Sequence, residues 1–440
     1  MRILAFQFVA AVHGRPTPRF EPQLGVLLAL LKARGHDVAL VGVSRPDPAP
    51  IKAALARHLP QILYADISAV CIDVARRALQ YLQDKEFLPV VAGGTYATVD
   101  PAGCLSLPGV AAVAVGEPDA SLVAYFERLK DPAVRQVVQG VWWRDESRLA
   151  QPQMPALVED LDSLPFAERD AFEYSGWVRQ TGELEIAAGR GCPQACGYCL
   201  LPATARLYEG RGAWVRRRSP ENLLEEIGGL QARFAGAQSV RILDHAFALD
   251  GAWLESFLSA YERDCGLPLR CHLRANAADA AIVARLAAAG CRFADVEVIS
   301  GSDFIRNEIF EMALSEEQLT STFAWARRAG IRTRAVLYLG APYESEVSLE
   351  DTGRLLRALH PDVVDVRPYY PWPGTVGRRT AADNGWLHSR GEEQHHADQP
   401  GIDMPACRPD LVARFIRRYR QEFGATVGEP WWRRWWRSRG

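Results

Sequence analysis

Short apolar runs alternate with amphipathic helical stretches along most of the chain. RILAFQFVA (2–10) reads as a strand, and EPQLGVLLALLKARG (21–35) reads as a helix that stops at Gly35. The runs DVALVGV, ISAVCI (67–72), LPVVAGG and VAAVAVG continue as strands, with helical stretches IKAALARHL, ARRALQYLQDKEF and DASLVAYFERLK between and after them. Continuous apolar strands separated by helices imply a parallel sheet covered on both faces. The expectation for residues 1–150 is a Rossmann-like, doubly wound α/β domain. Such sheets bind ligands beyond the carboxyl ends of their strands. Gly93, Gly94 and Thr95 fall at one such end, and Gly116 and Glu117 at another. These glycines either admit a ligand close to the backbone or make plain tight turns.

QVVQGVWWRDESRLAQ reads as a hairpin, and VEDLDSLPFAERDAF has neither clean period. Residues 151–178 are therefore assigned to an ordered linker. The alternation restarts with strands ELEIAAGR, SVRILDHAFA, LRCHLRAN, FADVEVIS, TRAVLYLG and VVDVRPYY. Helices SPENLLEEIGGLQARF, GAWLESFLSAYERD, DAAIVARLAAAG, SEEQLTSTFAWARRAG and SLEDTGRLLRALH alternate with them, and the first opens on Ser219 and Pro220 as cap and first residue. Residues 179–385 thus predict a partial (β/α)6 TIM-type barrel, whose chemistry collects at the carboxyl ends of its strands. A small helical region follows over 386–440.

Composition narrows the class. The 440 residues are 48% hydrophobic and 24% charged, with a net charge of −2, so no long-range field points to nucleic acid. The N-terminal apolar run lacks a basic leader and passes straight into a β-α unit, and no apolar stretch is long enough to span a membrane. A cytoplasmic setting is expected. The nine cysteines are odd in number and scattered, which does not suit a disulfide framework. Six of them (Cys71, Cys104, Cys265, Cys271, Cys291 and Cys407) read as small buried hydrophobes.

The other three stand at the end of the first barrel strand, in Gly189-Arg190-Gly191-Cys192-Pro193-Gln194-Ala195-Cys196-Gly197-Tyr198-Cys199. Three thiolates on one loop can ligate three irons of a [4Fe–4S] cluster. The fourth iron is then open to a chelating small molecule, as a catalytic metal keeps an open position. A structural zinc site would need a fourth ligand at zinc spacing, and none stands nearby.

The Cys-x3-Cys-x2-Cys loop with Tyr198 before its third cysteine resembles the radical S-adenosylmethionine (SAM) enzymes. VVAGGTYATVDP, VAVGEPD, DLDSLPFAERDAF, VRRRSPENLLEEI, ILDHAFALD, ISGSD, LYLGAPYES and PYYPWPGT resemble, in order and spacing, the cobalamin-dependent branch of that superfamily. The resemblance implies cobalamin on the N-terminal domain, with Gly93, Gly94, Thr95, Gly116 and Glu117 among its contacts. It also implies SAM on the open iron, Tyr198 along the adenine, and one-electron cleavage to a 5′-deoxyadenosyl radical.

Three positions depart from that pattern. His13 does not stand in the Asp-x-His-x-x-Gly context of a cobalt-ligating histidine. The usual Glu-Ser-Gly is Ile299-Ser300-Gly301; Glu297 either substitutes for the missing carboxylate near SAM or is structural, and Ser300 stays in the binding set. The second strand ends in Asp244-His245 where paired acids are common; Asp244 is assigned to SAM, while His245 either faces substrate or is a satisfied polar residue. Arg274 and Asn276 close the third strand and offer donors to a carboxylate or ribose, and Arg216, Arg217 and Arg218 either pair with carboxylates near the cluster or form a solvated turn. Tyr338, Arg367 and Tyr369 are the candidates for catalytic contact; with Tyr370 and Trp372 they either flank a substrate or corrin or pack the core.

The expected function is methylation of an unactivated carbon in a small molecule or natural product. The alternatives are cyclisation or rearrangement without methyl transfer, and a non-catalytic cobalamin or cluster sensor. An electron donor of flavodoxin or ferredoxin type is implied, and no nucleic acid partner is expected. The tail EPWWRRWWRSRG carries Trp431, Trp432, Trp435 and Trp436 on one helical face. Packing back onto the protein, or a disordered tail, is preferred there to an interfacial membrane anchor or a segment that docks a partner.

Overall fold

The computed structural model describes residues 1–8, 19–45, 47–68, 71–85, 88–130, 137–145, 148–150, 153–387 and 400–424. His13 and the tryptophan-rich tail lie outside the described residues.

The N-terminal sheet contains β1 (Arg2–Phe8), β2 (Asp37–Val43), β3 (Ile62–Ile67), β4 (Val90–Gly93) and β5 (Val110–Ala114) in parallel, in the order β2-β1-β3-β4-β5. An antiparallel hairpin, β6 (Val141–Asp145) and β7 (Arg148–Ala150), extends the β5 edge. β1 is buried from Ile3 to Phe8 because helices cover both faces of the sheet. Pro22–Ala33 and Pro118–Lys130 lie on one face. Pro48–His58 and Ile72–Asp84 lie on the other. The Rossmann-like expectation holds.

One element differs from the sequence reading. The strand expected over ISAVCI falls instead at β3, Ile62–Ile67, which ends on the first residue of that run, and Ile72 opens a helix behind Cys71. Asp66 breaks the apolar run in sequence, yet it lies half-buried near the end of β3 with the Tyr64 hydroxyl as its hydrogen-bond partner. Ile72, Ala75, Leu79 and Leu82 then repeat on one helical face, which draws the helix start forward.

The linker contains two short 3-10 turns, Leu161–Ser163 and Asp170–Phe172, and leads into the helix Tyr174–Thr181. Arg169 stacks its guanidinium over Phe20 at 4.1 Å and over Tyr174 at 4.6 Å. It also donates to Glu226 at 2.8 Å, so the linker is stitched to both domains.

The second sheet is the partial barrel. It contains β8 (Glu183–Ile186), β11 (Ser239–Ile242), β12 (Leu269–His272), β13 (Cys291–Ile299), β14 (Arg332–Leu339) and β15 (Val363–Pro368), all parallel in the order β15-β14-β13-β12-β11-β8. A two-residue ladder of β9 (Gly189–Arg190) and β10 (Arg216–Arg217) lies beyond the end of β8. The strand expected from SVRILDHAFA stops at Ile242, because Asp244 turns back to accept from the Ala188 backbone N–H at 2.7 Å. The helix Pro409–Glu422 packs on β15, and its Arg420 donates to the Val366 carbonyl at 2.9 Å.

Charged side chains fill the middle of the barrel. Arg270 bonds Glu183 and Asp295 at 3.0 Å each, Arg334 bonds Asp295 at 2.7 Å, and Arg241 bonds Glu185 at 3.2 Å. Buried charge is tolerated only when it is paired in this way.

Candidate active site

The three-cysteine loop leaves the end of β8 and is held by backbone contacts. Gly189 and Gly191 lie flat against β10 and the segment before it; an added Cβ would clash with the carbonyl oxygens of Arg216 and Trp214. Gly191 also adopts φ +82°, which glycine supplies at low cost. Trp214 Nε1 donates to the Cys192 carbonyl at 3.1 Å. The Gly197 N–H donates to the Phe310 carbonyl at 2.9 Å. The loop is thereby fixed to β10 on one side and to the segment after β13 on the other.

Cys196 is buried, and Cys192 and Cys199 are partly buried. Burial, with smaller contributions from the sulfurs of Cys196 and Cys192 and from Glu297, pushes the Cys199 thiol up to about 12. The three sulfurs are close enough to disturb one another's ionisation. Among the described residues, His245, His272 and Glu297 bring their donor atoms within 4.8 Å of one another. Three thiols on one loop suit a polynuclear centre, whose positive charge would hold them as thiolates.

Beneath the loop runs one continuous polar chain. Arg274 Nη2 donates to Cys196 Sγ at 3.6 Å, and Arg274 Nη1 donates to Glu297 Oε2 at 2.7 Å. The Tyr198 hydroxyl donates to the same carboxylate at 3.2 Å. Glu297 Oε1 pairs with His245 Nδ1 at 2.7 Å. His245 packs at a tilt against His272, with ring centroids 4.1 Å apart. The Arg274 and His245 charges overcome burial and hold Glu297 down at about 2. The same carboxylate overcomes burial at His245 and raises it. His272 goes the other way: burial lowers it to about 3, so it stays neutral.

The remaining candidates divide. Tyr338 packs beside Tyr198 at 5.7 Å, within the site. Tyr369 is 2% exposed and packs on Phe310 at 5.2 Å, and Arg367 forms a two-point pair with Asp365 at 2.9 and 2.6 Å. Ser300 is buried, its hydroxyl accepting from the Ser302 N–H at 3.2 Å. Asp244 spends a carboxylate oxygen on the Ala188 N–H, and burial raises it to about 6.

In the N-terminal domain the glycines have intramolecular reasons. A Cβ on Gly93 would strike the Tyr64 hydroxyl, one on Gly94 would lie 2.8 Å from Asp66 Oδ1, and one on Gly116 would strike the Tyr208 hydroxyl. Thr95 is exposed at the start of the helix Gly94–Val99. Glu117 is buried and pairs with Arg190 at 2.8 Å and with Arg216, while Asp119 also pairs with Arg190. Of the basic run after Trp214, Arg218 pairs with Glu226 at 2.5 Å and Arg217 donates to the Ala246 carbonyl at 2.8 Å. Asn276 donates to the Met312 carbonyl at 3.1 Å.

The sequence reading missed His272. The signal was the period-two run Arg270, His272, Arg274, which places three polar side chains on one face of β12 and its extension.

The profile of the Radical SAM superfamily matches residues 186–356, from the end of β8 through the helix Glu346–Leu359. The barrel is a radical SAM domain. The chain is 22% identical over 284 residues to cytidylyl-2-hydroxyethylphosphonate methyltransferase of Streptomyces wedmorensis, covering 57% of this chain and 52% of that protein. It is 25% identical over 276 residues to anaerobic magnesium-protoporphyrin IX monomethyl ester cyclase of a Synechocystis species, covering 59% of this chain and 52% of that protein. The chain thus spans about half the length of the curated relatives it matches. In fold, the radical SAM domain and the N-terminal domain together resemble the methyltransferase TsrM of Kitasatospora setae, with cobalamin and [4Fe–4S] cluster bound: TM-score 0.69, 17% identity, 95% of this chain and 81% of that one. The cobalamin-dependent SAM radical enzyme OxsB, with aqua-cobalamin and SAM bound, gives TM-score 0.64 at 14% identity, over 97% of this chain and 57% of that one.

Proposed function

We propose that the chain is a cobalamin-dependent radical SAM enzyme that methylates an unactivated carbon of a small molecule. The observation that carries this reading is the chain of contacts from Cys196 through Arg274 to Glu297 and Tyr198, at the strand ends of a radical SAM domain. The two-domain fold shared with TsrM and OxsB and the S. wedmorensis methyltransferase relative support cobalamin and methyl transfer.

When bound, the cluster with SAM supplies one-electron cleavage of a sulfonium, and cobalamin supplies a transferable methyl group. Cys192, Cys196 and Cys199 are the thiolate ligands. Arg274 offsets the negative charge at Cys196 and fixes Glu297. Tyr198, between Phe310 and Tyr338, offers a flat apolar face to an adenine. Asp244 holds the backbone that launches the cluster loop. The N-terminal domain meets the strand ends through Glu117, which pairs with Arg190 and Arg216. Tyr338 stays the proposed catalytic contact, and Ser300 and Glu297 stay in the proposed binding set. Tyr369 and Arg367 are proposed to shape its rim from the core and from the Asp365 pair. Gly93, Gly94, Thr95, Gly116 and Glu117 border the proposed cobalamin edge. The reductant is proposed to be a flavodoxin or ferredoxin.

Anaerobic purification with reconstitution tests the reading. Iron, sulfide and cobalamin should all be retained, and reduction in the presence of SAM should give 5′-deoxyadenosine. Alanine at Cys192, Cys196 and Cys199 should abolish both the iron and the nucleoside; a variant that keeps both overturns the reading. A second reading is cyclisation without methyl transfer, which the cyclase relative favours. SAM labelled in its methyl group separates the two, because only the first places label in the product.

A further inference from the structure

The barrel is open between its two edge strands, β8 and β15. Arg19, just before the helix Pro22–Ala33, stands at this opening. Its backbone is held in place: the Arg19 carbonyl accepts from Gln7 Nε2 at 2.8 Å, and the next residue, Phe20, packs edge-on against Phe172 and Tyr174. The charges around the Arg19 guanidinium come from both edges of the barrel. They are Glu185 on β8, Asp365 and Arg367 on β15, and Arg241 on β11, which pairs with β8.

These charges do not balance. Glu185 is engaged by Arg241 at 3.2 Å. Asp365 holds Arg367 at two points, 2.9 and 2.6 Å, and lies 3.8 Å from Arg334. Arg19 brings a further guanidinium to the same two carboxylates. Among the described residues that guanidinium has no hydrogen bond and no ion pair. Arg241 Nε is likewise buried without a partner. The deeper acids, Glu183 and Asp295, are committed to Arg270 and Arg334 and have nothing to spare. Arg19 is exposed and Arg367 keeps 54% of its side-chain surface, so there is open space beside both.

We propose that the substrate carries a carboxylate and that Arg19, with Arg367 beside it, receives that carboxylate at the open seam of the barrel. The inference rests on the enzyme reading above and adds the substrate class. One unanswered positive charge calls for one negative charge, and a guanidinium offers a planar fork that matches the two oxygens of a carboxylate. Arg241 and Arg367 repel Arg19 in the free protein, and a bound carboxylate offsets that repulsion. The place also suits the reaction. Arg367 lies opposite Tyr338 in the β14–β15 register, and Tyr338 packs beside Tyr198 at 5.7 Å. A molecule anchored by its carboxylate at Arg19 and Arg367 therefore extends toward the Tyr198–Tyr338 pair.

The probes are 2-naphthoate and 2-naphthamide, alike in shape and different by one charge, titrated into the full chain loaded with cluster and cobalamin. Saturable binding of naphthoate is expected, about tenfold tighter than that of naphthamide. Arg19→Gln should bring the two affinities together by weakening naphthoate alone. The same variant should keep its iron and cobalamin, and its urea midpoint should not fall, because the guanidinium has no protein partner to lose. Absence of saturable naphthoate binding, equal affinities in the wild type, or a preference that survives Arg19→Gln overturns the inference. So does loss of cobalamin from Arg19→Gln, which would assign the guanidinium to the cofactor, or a lowered midpoint, which would make it a structural cation. The titration needs neither SAM nor turnover, so its failure is distinct from failure to form 5′-deoxyadenosine.

Discussion

Glu297 divides its two carboxylate oxygens among three side chains: Oε2 receives Arg274 and Tyr198, and Oε1 holds His245. Each partner favours the charged form, so the carboxylate stays ionised despite burial. The sign of its pH linkage follows. A carboxylate lowered from 4.5 to about 2 stabilises the fold above pH 4.5, and that contribution is lost as pH falls toward 2. His272, lowered from 6.5 to about 3, acts earlier. Below pH 6.5 the unfolded chain takes up a proton that the folded chain refuses, so stability drops as pH falls through that window. The slope is about 1.4 kcal/mol per pH unit for one group. His272→Asn should flatten the acid limb of denaturant-measured stability between pH 6.5 and 3, and an unchanged limb would refute the assignment. His245 works in the opposite sense. Its raised value contributes stability below pH 6.5 that disappears as pH rises.

Elements place these side chains by small irregularities. β13 carries a register shift between Glu297 and Ile299, and Ile299 adopts φ +66°. A β-branched residue in that region costs about 1–2 kcal/mol, a strain tolerated where surrounding packing over-determines it. Ile299 is fully buried, and the bulge sits directly beside the carboxylate that organises the site. The cluster loop depends on a different device. Gly191→Ala would add a Cβ against the Trp214 carbonyl in a left-handed conformation. Iron content after reconstitution should fall by more than half, while far-ultraviolet circular dichroism stays unchanged; full iron loading would show that the loop tolerates the shift. The capping box of Ser315 and Gln318 is an ordinary counterpart: Ser315→Ala should cost about 1 kcal/mol in urea denaturation and leave iron loading intact.

The two domains are joined by charge as well as by the apolar seam at Phe20, Phe172 and Tyr174. Glu117 leaves the end of β5 and meets Arg190, two residues before Cys192, and Arg216 on β10. All three side chains are nearly buried. Removing one member of such a network leaves an uncompensated charge, which costs about 3–5 kcal/mol. Glu117→Gln should therefore lower unfolding free energy by about 3 kcal/mol, and a change under 1 kcal/mol would mean that water already compensates the pair. Among the described residues, no helix is long and apolar enough to cross a membrane.

Much of this was written in the order of residues. Apolar runs, amphipathic stretches and caps are local. The short helices Gly94–Val99, Pro101–Leu105, Tyr174–Thr181, Leu201–Leu207 and Val376–Asp383 span too few turns to show a period and were not read. Nearly every strand and longer helix was legible within a few positions, and so was the three-cysteine loop at the end of β8. The exception, β3, arose because two short apolar runs flank Asp66, and a short apolar run does not by itself distinguish a strand from a buried helix start. Pairing of distant charges is not local. Glu117 reads in sequence as a ligand-edge acid, yet its partners lie 73 and 99 positions away. His245 and Glu297 are 52 positions apart and touch only because parallel strands bring their carboxyl ends to one rim. Secondary structure and metal chemistry followed from neighbouring side chains; which buried charge answers which was decided only when the sheets closed.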